Sequence, residues 1–337
     1  MKAVGINFHG DGFADLQLDS PVAGGRDLLV AVEAVSVNPL DTKVHASARL
    51  APQPPDDPKI LGWDAAGKVV ATGPDVEHFS VGQKVFYAGE ITRSGSNSQF
   101  HLVDERIAGQ MPETLDYAQA AALPLTSLTA WEALFDRLGI SKTGQDEGGT
   151  LLVIGGAGGV GSIAIQLASK LARLKVIATA SRPESADWVR KAGASLVIDH
   201  HGDMPEQLKA AGYKTADFIL CLNNTEQHWA AMARMASVAG RICSIVETSK
   251  PIDLDLLKRK CVSFVWESMF TRSIYKTPDM IEQHHILNQV SRLIDQGLLT
   301  TTLTQTVTPI NAQNLAQVHA SIGQGHSLGK WVLSGWQ

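Results

Sequence analysis

The segment Thr150-Leu151-Leu152-Val153-Ile154 runs into the turn Gly156-Ala157-Gly158-Gly159-Val160-Gly161, and these residues decide the fold. The first segment is a short apolar run typical of a buried strand, and residues 162–171 have the apolar spacing of a helix. After about residue 125, strand-like runs alternate with helix-period segments. The strand candidates are 150–155, 175–180, 195–199, 216–221, 241–246 and 261–266. This alternation predicts a doubly wound α/β domain, with a parallel sheet covered on both faces.

The spacing of the glycines assigns a task to each of them. Gly156 allows a tight turn, Gly158 lets the backbone approach a pyrophosphate, and Gly161 lets the helix pack closely on the strand. A lone G-x-G-x-x-G is weak evidence, but here the required strand, turn and helix are all present. The whole turn, with Ala157, Gly159 and Val160, is therefore predicted to bind a dinucleotide at a helix N-terminus. The alternative is an ordinary glycine-rich β–α turn.

The end of the second strand indicates which dinucleotide is bound. NAD sites usually place a carboxylate there for the ribose 2′-hydroxyl. This chain has Ala180 at that position, followed by Ser181 and Arg182. A hydroxyl and a guanidinium suit the 2′-phosphate of NADPH, although Arg182 could also be a solvated charge at a helix start. His200, after the third strand, is either a further contact to the adenosine end or an ordinary surface histidine.

Composition excludes several classes of protein. The 337 residues carry a net charge of −5 and no dense basic block, which argues against nucleic-acid binding. No apolar run approaches the roughly 20 residues that span a bilayer, and the N-terminal residues lack the apolar core of a signal peptide. The three cysteines, Cys221, Cys243 and Cys261, are expected to be buried small hydrophobes rather than disulfides or ligands. We therefore expect a cytoplasmic protein that does not associate with membranes.

Residues 1–125 are rich in strand signals, glycine and proline, and the proline-rich stretch 51–58 is expected to be a surface loop. With the blocks 35–41, 61–67 and 123–131 and the glycine turn in this order, the chain resembles the medium-chain dehydrogenase/reductase superfamily. Within it, the chain is similar to the quinone oxidoreductase branch, in the group often labelled zinc-type alcohol dehydrogenase-like. The resemblance implies a GroES-like substrate domain (1–125, completed by 268–337), a Rossmann domain (126–267), and a homodimer formed through the edge strand 261–266.

The residues that bind catalytic zinc in zinc-dependent relatives are missing. Those relatives have Cys, His and Cys where this chain has Asn38, Trp63 and a position near Leu125, and none of these can be a zinc ligand. Residues 88–106, which match the structural zinc lobe, contain no cysteine. The sequence therefore predicts no metal site.

The resemblance also implies roles for individual residues around NADPH. Asn38 and Thr129 would face the nicotinamide, Thr126 would lie near the ribose or phosphates, and Asn223 and Val246 would line the nicotinamide half. The remaining implied contacts are Phe270 and Thr271 at the carboxamide and Lys330 near the end of the chain.

The proton donor is open at this point. Asp41, Lys43 and Tyr87 are candidates, and Asp41 could instead cap a local turn. Trp63 and Trp131 could pack on an aromatic substrate or fill an interface between domains.

Without zinc, quinones and α,β-unsaturated carbonyl compounds are the expected substrates, because their acceptor carbon is already electrophilic. An NADP-dependent alcohol or carbonyl dehydrogenase and a non-catalytic NADPH-binding sensor remain alternatives.

Overall fold

The computed structural model describes residues 1–8, 12–50, 58–325 and 327–336. The chain forms two compact units: unit 1 comprises residues 1–128 and 270–337, and unit 2 comprises residues 129–269. The sequence predicted these boundaries after residues 125 and 267. The predicted loop 51–58 lies, except for Pro58, outside the described residues.

The strands are numbered in chain order. They are β1 (Lys2–Ile6), β2 (Phe13–Gln17), β3 (Asp27–Val37), β4 (Ala65–Thr72), β5 (Lys84–Tyr87), β6 (Phe100–Asp104), β7 (Ala108–Gln110), β8 (Thr150–Ile154), β9 (Lys175–Thr179), β10 (Leu196–Ile198), β11 (Ala216–Cys221), β12 (Ala236–Ser244), β13 (Ser263–Trp266), β14 (Leu303–Val307) and β15 (Lys330–Ser334).

The helices are numbered in the same way. They are α1 (Pro39–Arg49), α2 (Tyr117–Ala121), α3 (Pro124–Trp131), α4 (Gly159–Gln166), α5 (Pro183–Ala192), α6 (Met204–Ala210), α7 (Thr225–Met235), α8 (Asp255–Lys258), α9 (Thr271–Tyr275), α10 (Glu282–Asp295) and α11 (Ala312–Gly323). The π-helical segments Glu132–Arg137 and Leu167–Leu171 follow α3 and α4 directly.

Unit 2 is the predicted Rossmann domain. Its strands pair in parallel in the order β10-β9-β8-β11-β12-β13. Every residue of β8 is buried, because neighbouring strands flank it on both sides and the apolar run has no polar face to expose. The chain reverses direction across the sheet between β8 and β11. In a doubly wound sheet this switch point opens a crevice at the carboxyl ends of the strands.

Unit 1 is the predicted β-rich domain. Its larger sheet has the order β14-β15-β3-β4-β5-β7, with β6 also paired to β3, and β1 and β2 form a separate ribbon. The long strand β3 is central and pairs with β15, β4 and β6 in antiparallel fashion. Because β15 pairs with β3, a strand from near the end of the sequence closes the sheet begun by the N-terminal residues.

The cysteine prediction is partly wrong. Cys221 and Cys243 are buried in β11 and β12, but Cys261 is exposed with a left-handed φ of 52°. It precedes β13 in a turn, because the strand begins at Ser263 and not at residue 261 as predicted. None of the helices in the described part of the chain has the length and apolar character needed to cross a membrane.

Candidate functional site

The predicted site residues are divided between the units, and each set is described within its own unit. In unit 1, Asn38 and Asp41 meet at the start of α1. Asn38 is the N-cap, and its backbone N–H donates to Asp41 Oδ2 at 2.8 Å. Burial raises the pKa of Asp41 to about 7. The contact is that of a helix cap. The structure therefore shows the capping role of Asp41, and its role as a proton donor stays a prediction.

Asp64, just before β4, joins three segments of unit 1. Its Oδ2 accepts from Asn38 Nδ2 at 2.8 Å and from Lys330 Nζ at 2.9 Å. Its Oδ1 accepts from the backbone N–H of Leu125 at 2.7 Å. Asp64 has no exposed surface, and burial raises its pKa while the Lys330 ammonium opposes this change. Since these three partners are all donors, we treat the carboxyl group as ionised.

Lys330 supplies the positive charge for this buried carboxylate. Its Nζ also donates to the carbonyl of Val37 at 3.1 Å and to Asn38 Oδ1 at 2.5 Å. An ammonium has three N–H groups, and these three protein acceptors match them one for one. The approach of Lys330 to a cofactor therefore stays a prediction, and the structure shows a different role, which is to neutralise Asp64.

Two hydrogen-bond partners of Asp64, Asn38 and Leu125, lie at or near two of the three positions where zinc-dependent relatives have their ligands. The amide group of Asn38 and the N–H of Leu125 are both bound to Asp64. The third position holds Trp63, whose indole is buried and whose Nε1 has no hydrogen-bond partner in the described structure. Sequence reasoning missed Asp64, although a carboxylate inside the apolar block 61–67 was the available signal.

The other predicted residues of unit 1 lie in varied surroundings. Lys43 is exposed on α1, and the Thr126 hydroxyl donates to the carbonyl of Leu123 at 3.0 Å. Phe270 is buried with its ring edge-on to Trp63, at 6.4 Å between centroids, and Thr271 is half-buried.

Tyr87, a further candidate acid, is fully buried beside His101. His101 Nε2 faces the carbonyl of Ser94 at 2.9 Å and must donate to it, so its Nδ1 accepts from the Tyr87 hydroxyl at 3.0 Å. Burial raises the pKa of Tyr87 well above its usual value. Tyr87 therefore holds its proton firmly within a fully buried pair.

In unit 2 the glycine turn joins β8 to α4. A Cβ on Gly161 would lie 2.5 Å from the carbonyl oxygen of Gly156 and 2.7 Å from that of Gly155, so the helix packs there as predicted. A Cβ on Gly158 would meet only Gly155 O, at 3.8 Å, which leaves its outer face open. The tight turn was assigned to the wrong residue. The positive φ, 86°, belongs to Gly155, whereas Gly156 is required by close contacts with Ala178 and helix side chains.

Three further predicted residues each follow a strand of the parallel sheet, and these three strands are consecutive along the chain. His200 follows β10, Asn223 follows β11 and Val246 follows β12. The carboxyl ends of parallel strands lie at one edge of a sheet, so these residues share the edge that carries the glycine turn. His200 Nδ1 and Asn223 Oδ1 are buried without a hydrogen-bond partner in the described structure, and burial lowers the pKa of His200. Buried polar atoms of this kind are normally satisfied by a partner, such as a ligand.

Ser181 and Arg182 follow β9 at the same edge. Arg182 is exposed and is the N-cap of α5, and its backbone N–H donates to Ser185 Oγ at 3.1 Å. Ser181 is half-buried, and Thr129 is buried at the start of unit 2. The cofactor contacts of these residues stay predictions.

A buried carboxyl pair in unit 2 was not predicted. Glu132 lies in the π-helical segment after α3, and Glu267 follows β13. Both side chains have no exposed surface, and Arg137 Nε donates to Glu267 Oε2 at 2.8 Å. Burial, and next the charge of Glu132, raise the pKa of Glu267. Glu132 and Glu267 are 135 positions apart in sequence, so no local sequence motif could predict that they meet.

Comparison with known proteins supports the assignment of both units. Residues 24–126 match the alcohol dehydrogenase GroES-like domain, and residues 159–283 match the zinc-binding dehydrogenase domain. Together with the relatives below, these matches show that the chain belongs to the medium-chain dehydrogenase/reductase superfamily of oxidoreductases.

Within that superfamily the chain falls in the quinone oxidoreductase-like branch. It is 40% identical over 315 residues to a zinc-type alcohol dehydrogenase-like protein of Staphylococcus aureus, covering 93% of this chain and 92% of the relative. A crystal structure from Rhizobium etli, of a protein provisionally assigned as a zinc-dependent alcohol dehydrogenase, is 50% identical. Its TM-score is 0.94, with 100% of this chain and 98% of that chain covered.

The Escherichia coli quinone oxidoreductase in complex with NADPH has the same fold at 22% identity and a TM-score of 0.80. The alignment covers 99% of this chain and 100% of that one.

Proposed function

We propose that this chain is an NADPH-dependent reductase that transfers a hydride to quinones or α,β-unsaturated carbonyl compounds without a catalytic metal ion. The observation that carries the proposal is the glycine turn of unit 2. It is closed by backbone contact at Gly161 and open at Gly158, as a loop that receives a pyrophosphate must be. The orphaned Asn223 Oδ1 and His200 Nδ1 at the same sheet edge fit a dinucleotide along it.

NADPH rather than NADH is supported by the charge at the end of β9. Ala180 stands where a carboxylate would repel the 2′-phosphate, and the exposed guanidinium of Arg182 follows two positions later. A guanidinium makes paired, charge-assisted hydrogen bonds to phosphate.

The lack of zinc-ligand atoms at these positions of unit 1 supports a reaction that does not use a metal ion. Asn38 has its amide bound to Asp64 and Lys330, and Trp63 and Leu125 offer no ligand atom for zinc. When bound, NADPH supplies the hydride. The chain then has to bind both reactants, orient them and exclude water, and we propose that water provides the proton that completes the reduction.

Two measurements test this function. Calorimetric titration of the full chain should show NADPH binding more tightly than NADH. A steady-state screen should then show NADPH oxidation by quinones and enones, at rates that a chelator does not change. Absence of binding by either nucleotide to the folded chain would reject the proposal. Loss of turnover with chelator would reject its metal-independent part.

Two accompanying proposals concern assembly and location. Strand β13 lies at the edge of the parallel sheet, and Trp266 at its end is half exposed. We propose that two copies pair through this strand, which light scattering would show as twice the mass of one chain.

We also propose a cytoplasmic location, where Cys221, Cys243 and Cys261 would stay reduced, and cell fractionation tests it.

A further inference from the structure

A buried hydroxyl of unit 2 is bonded to the glycine turn. Ser162 lies in α4 and is 1% exposed, and its Oγ donates to the carbonyl oxygen of Gly158 at 2.7 Å. The backbone N–H of Ser162 donates to the same oxygen at 2.9 Å. The Gly158 carbonyl therefore accepts two hydrogen bonds from one residue and points along α4, as a helical carbonyl does.

The same hydroxyl accepts a hydrogen bond from the neighbouring helix. Trp188 lies in α5, and its indole Nε1 donates to Ser162 Oγ at 2.7 Å. An indole N–H can only donate, so the hydroxyl proton stays available for Gly158. Two hydrogen bonds thus run in series from Trp188 through Ser162 to Gly158, and we call them the relay. Hydrogen bonds linked in this way polarise and strengthen each other.

An ordinary helix contact is the alternative explanation for Ser162. Serine hydroxyls inside helices can donate to the carbonyl four residues earlier as a purely local contact. Ser169 makes such a contact, because its Oγ donates to the carbonyl of Ile165 at 2.7 Å. Ser162 differs from Ser169 in that its oxygen also accepts from a second helix, and its own acceptor is the glycine at the N-cap of α4.

The direction of the Gly158 carbonyl fixes the direction of the next N–H group. The peptide bond between Gly158 and Gly159 is planar and trans, so its C=O and N–H point in opposite directions. Because the carbonyl points along α4, the N–H of Gly159 points out of the helix N-terminus. Gly158 has no side chain that could cap this end. The first N–H groups of a helix have no acceptor within it, so this one is placed to donate to an anion.

We propose that Ser162 and Trp188 are positioning residues for the dinucleotide, because they hold the Gly158–Gly159 peptide with its N–H directed at the pyrophosphate. The inference rests on the reductase function proposed above. Glycines flank this peptide on both sides, and glycine populates more backbone conformations than other residues. Without the relay, the nucleotide would have to order the turn on binding, which lowers affinity. Both NADPH and NADH contain the pyrophosphate, so the relay acts on both alike.

Calorimetric titration of Ser162→Ala tests this role. The variant removes the hydroxyl, and we expect NADPH and NADH each to bind about 3- to 10-fold more weakly, which corresponds to one hydrogen bond. The loss should appear as a raised KM for NADPH with no decrease in kcat. Arg182→Ala, in contrast, should weaken only NADPH. Ser169→Ala is the matched control, since it removes the same local contact seven positions further along the chain and should leave both affinities unchanged.

Trp188→Phe tests the first donor of the relay. It keeps an aromatic ring, removes the N–H group and should weaken both nucleotides. Adding it to Ser162→Ala should cause no further loss, because the two residues act through one path. Trp229→Phe is its control, since Trp229 Nε1 donates to the carbonyl of Asp253, a residue outside the glycine turn, at 2.7 Å. That variant should keep both affinities.

Nuclear magnetic resonance tests the relay without any nucleotide. The protein has seven tryptophans, and the indole N–H signal missing in Trp188→Phe identifies Trp188. In Ser162→Ala this signal should move upfield, because the donor has lost its acceptor. An unmoved signal, a loss of affinity confined to NADPH, equal losses in Ser162→Ala and Ser169→Ala, or additive losses in the double variant would each overturn the inference.

The wild-type titration separates this inference from the function on which it rests. If the wild-type protein binds neither nucleotide, the reductase function is rejected and the positioning role with it. If the wild-type protein binds both nucleotides and Ser162→Ala binds them equally well, only the positioning role is rejected.

Discussion

Replacing Lys330 by Met removes the counter-charge of Asp64 and keeps a side chain of similar length. Asp64 then retains the N–H of Leu125 and the amide of Asn38 but has no cation, and it stays without exposed surface. Removing one partner of a buried ion pair costs about 3–5 kcal/mol, because the remaining charge is buried and uncompensated. In a unit of this size each kcal/mol lowers the melting temperature by about 2–4 °C. We therefore expect a decrease of about 6–20 °C in the unfolding of unit 1.

Scanning calorimetry of the full chain measures this decrease, with Lys43→Met as the control. Lys43 is exposed, and its replacement should change stability by no more than about 0.5 kcal/mol. Adding Asp64→Asn to Lys330→Met should restore part of the loss, because no net charge is then buried. Burial raises the pKa of Asp64 and Lys330 opposes this change, so the folded state of Lys330→Met binds a proton at Asp64 more tightly than folded wild type does. The deficit of Lys330→Met should accordingly shrink as pH falls. A loss below about 1 kcal/mol, or a double variant as unstable as the two single losses added, would refute the reasoning.

Three further predictions concern unit 2. Gly161→Ala forces a Cβ against two backbone oxygens and should lower the free energy of unfolding, measured with denaturant, by about 1–3 kcal/mol. Gly158→Ala is the control, which should fold normally and lose only nucleotide affinity. Equal stability of the two variants would contradict the packing argument. Arg182→Ala should weaken NADPH binding by about 10-fold or more and leave NADH binding nearly unchanged, as measured by calorimetry. An equal loss for both cofactors would reject the contact of Arg182 with the 2′-phosphate. In wild type, the raised pKa of Glu267 means that the contribution of this residue to stability is largest at low pH and falls as pH rises above 4.5, by up to about 1.4 kcal/mol per pH unit. Glu267→Gln should flatten this fall in melting curves taken between about pH 5 and 8, and an unchanged slope would exclude Glu267 as its source.

The parts of the fold that were predictable are those set by local pattern. The apolar run 150–154 became the fully buried β8, and the tight packing at Gly161 followed from the motif alone. Element edges were less accurate. β12 begins at Ala236 rather than at residue 241, because Ala236 pairs with Ala216 of β11, ahead of a shift in register, and this extends a segment whose own sequence has weak strand signals.

The parts of the site that were not predictable depend on long-range contacts. Asp64 and Lys330 are 266 positions apart, and no periodicity connects a residue before β4 with one in β15. The resemblance assigned Lys330 to the cofactor, but its three donors meet acceptors that only the folded sheet brings together. The orphaned N–H of Trp63 is likewise visible only when its surroundings are known, because the sequence shows an aromatic residue and not what its ring edge faces.

The pairing of β15 with β3 has a consequence for the order in which the protein is made. Residues 129–269, the Rossmann unit, leave the ribosome complete while the sheet begun by β3 still lacks the strand β15. Domains generally fold as units during synthesis, so the nucleotide-binding half can mature first. Asp64 has been translated long before Lys330, and its carboxylate must stay in contact with water until that last strand arrives. The nascent chain therefore has a folded parallel-sheet unit before the antiparallel sheet of its other unit is complete.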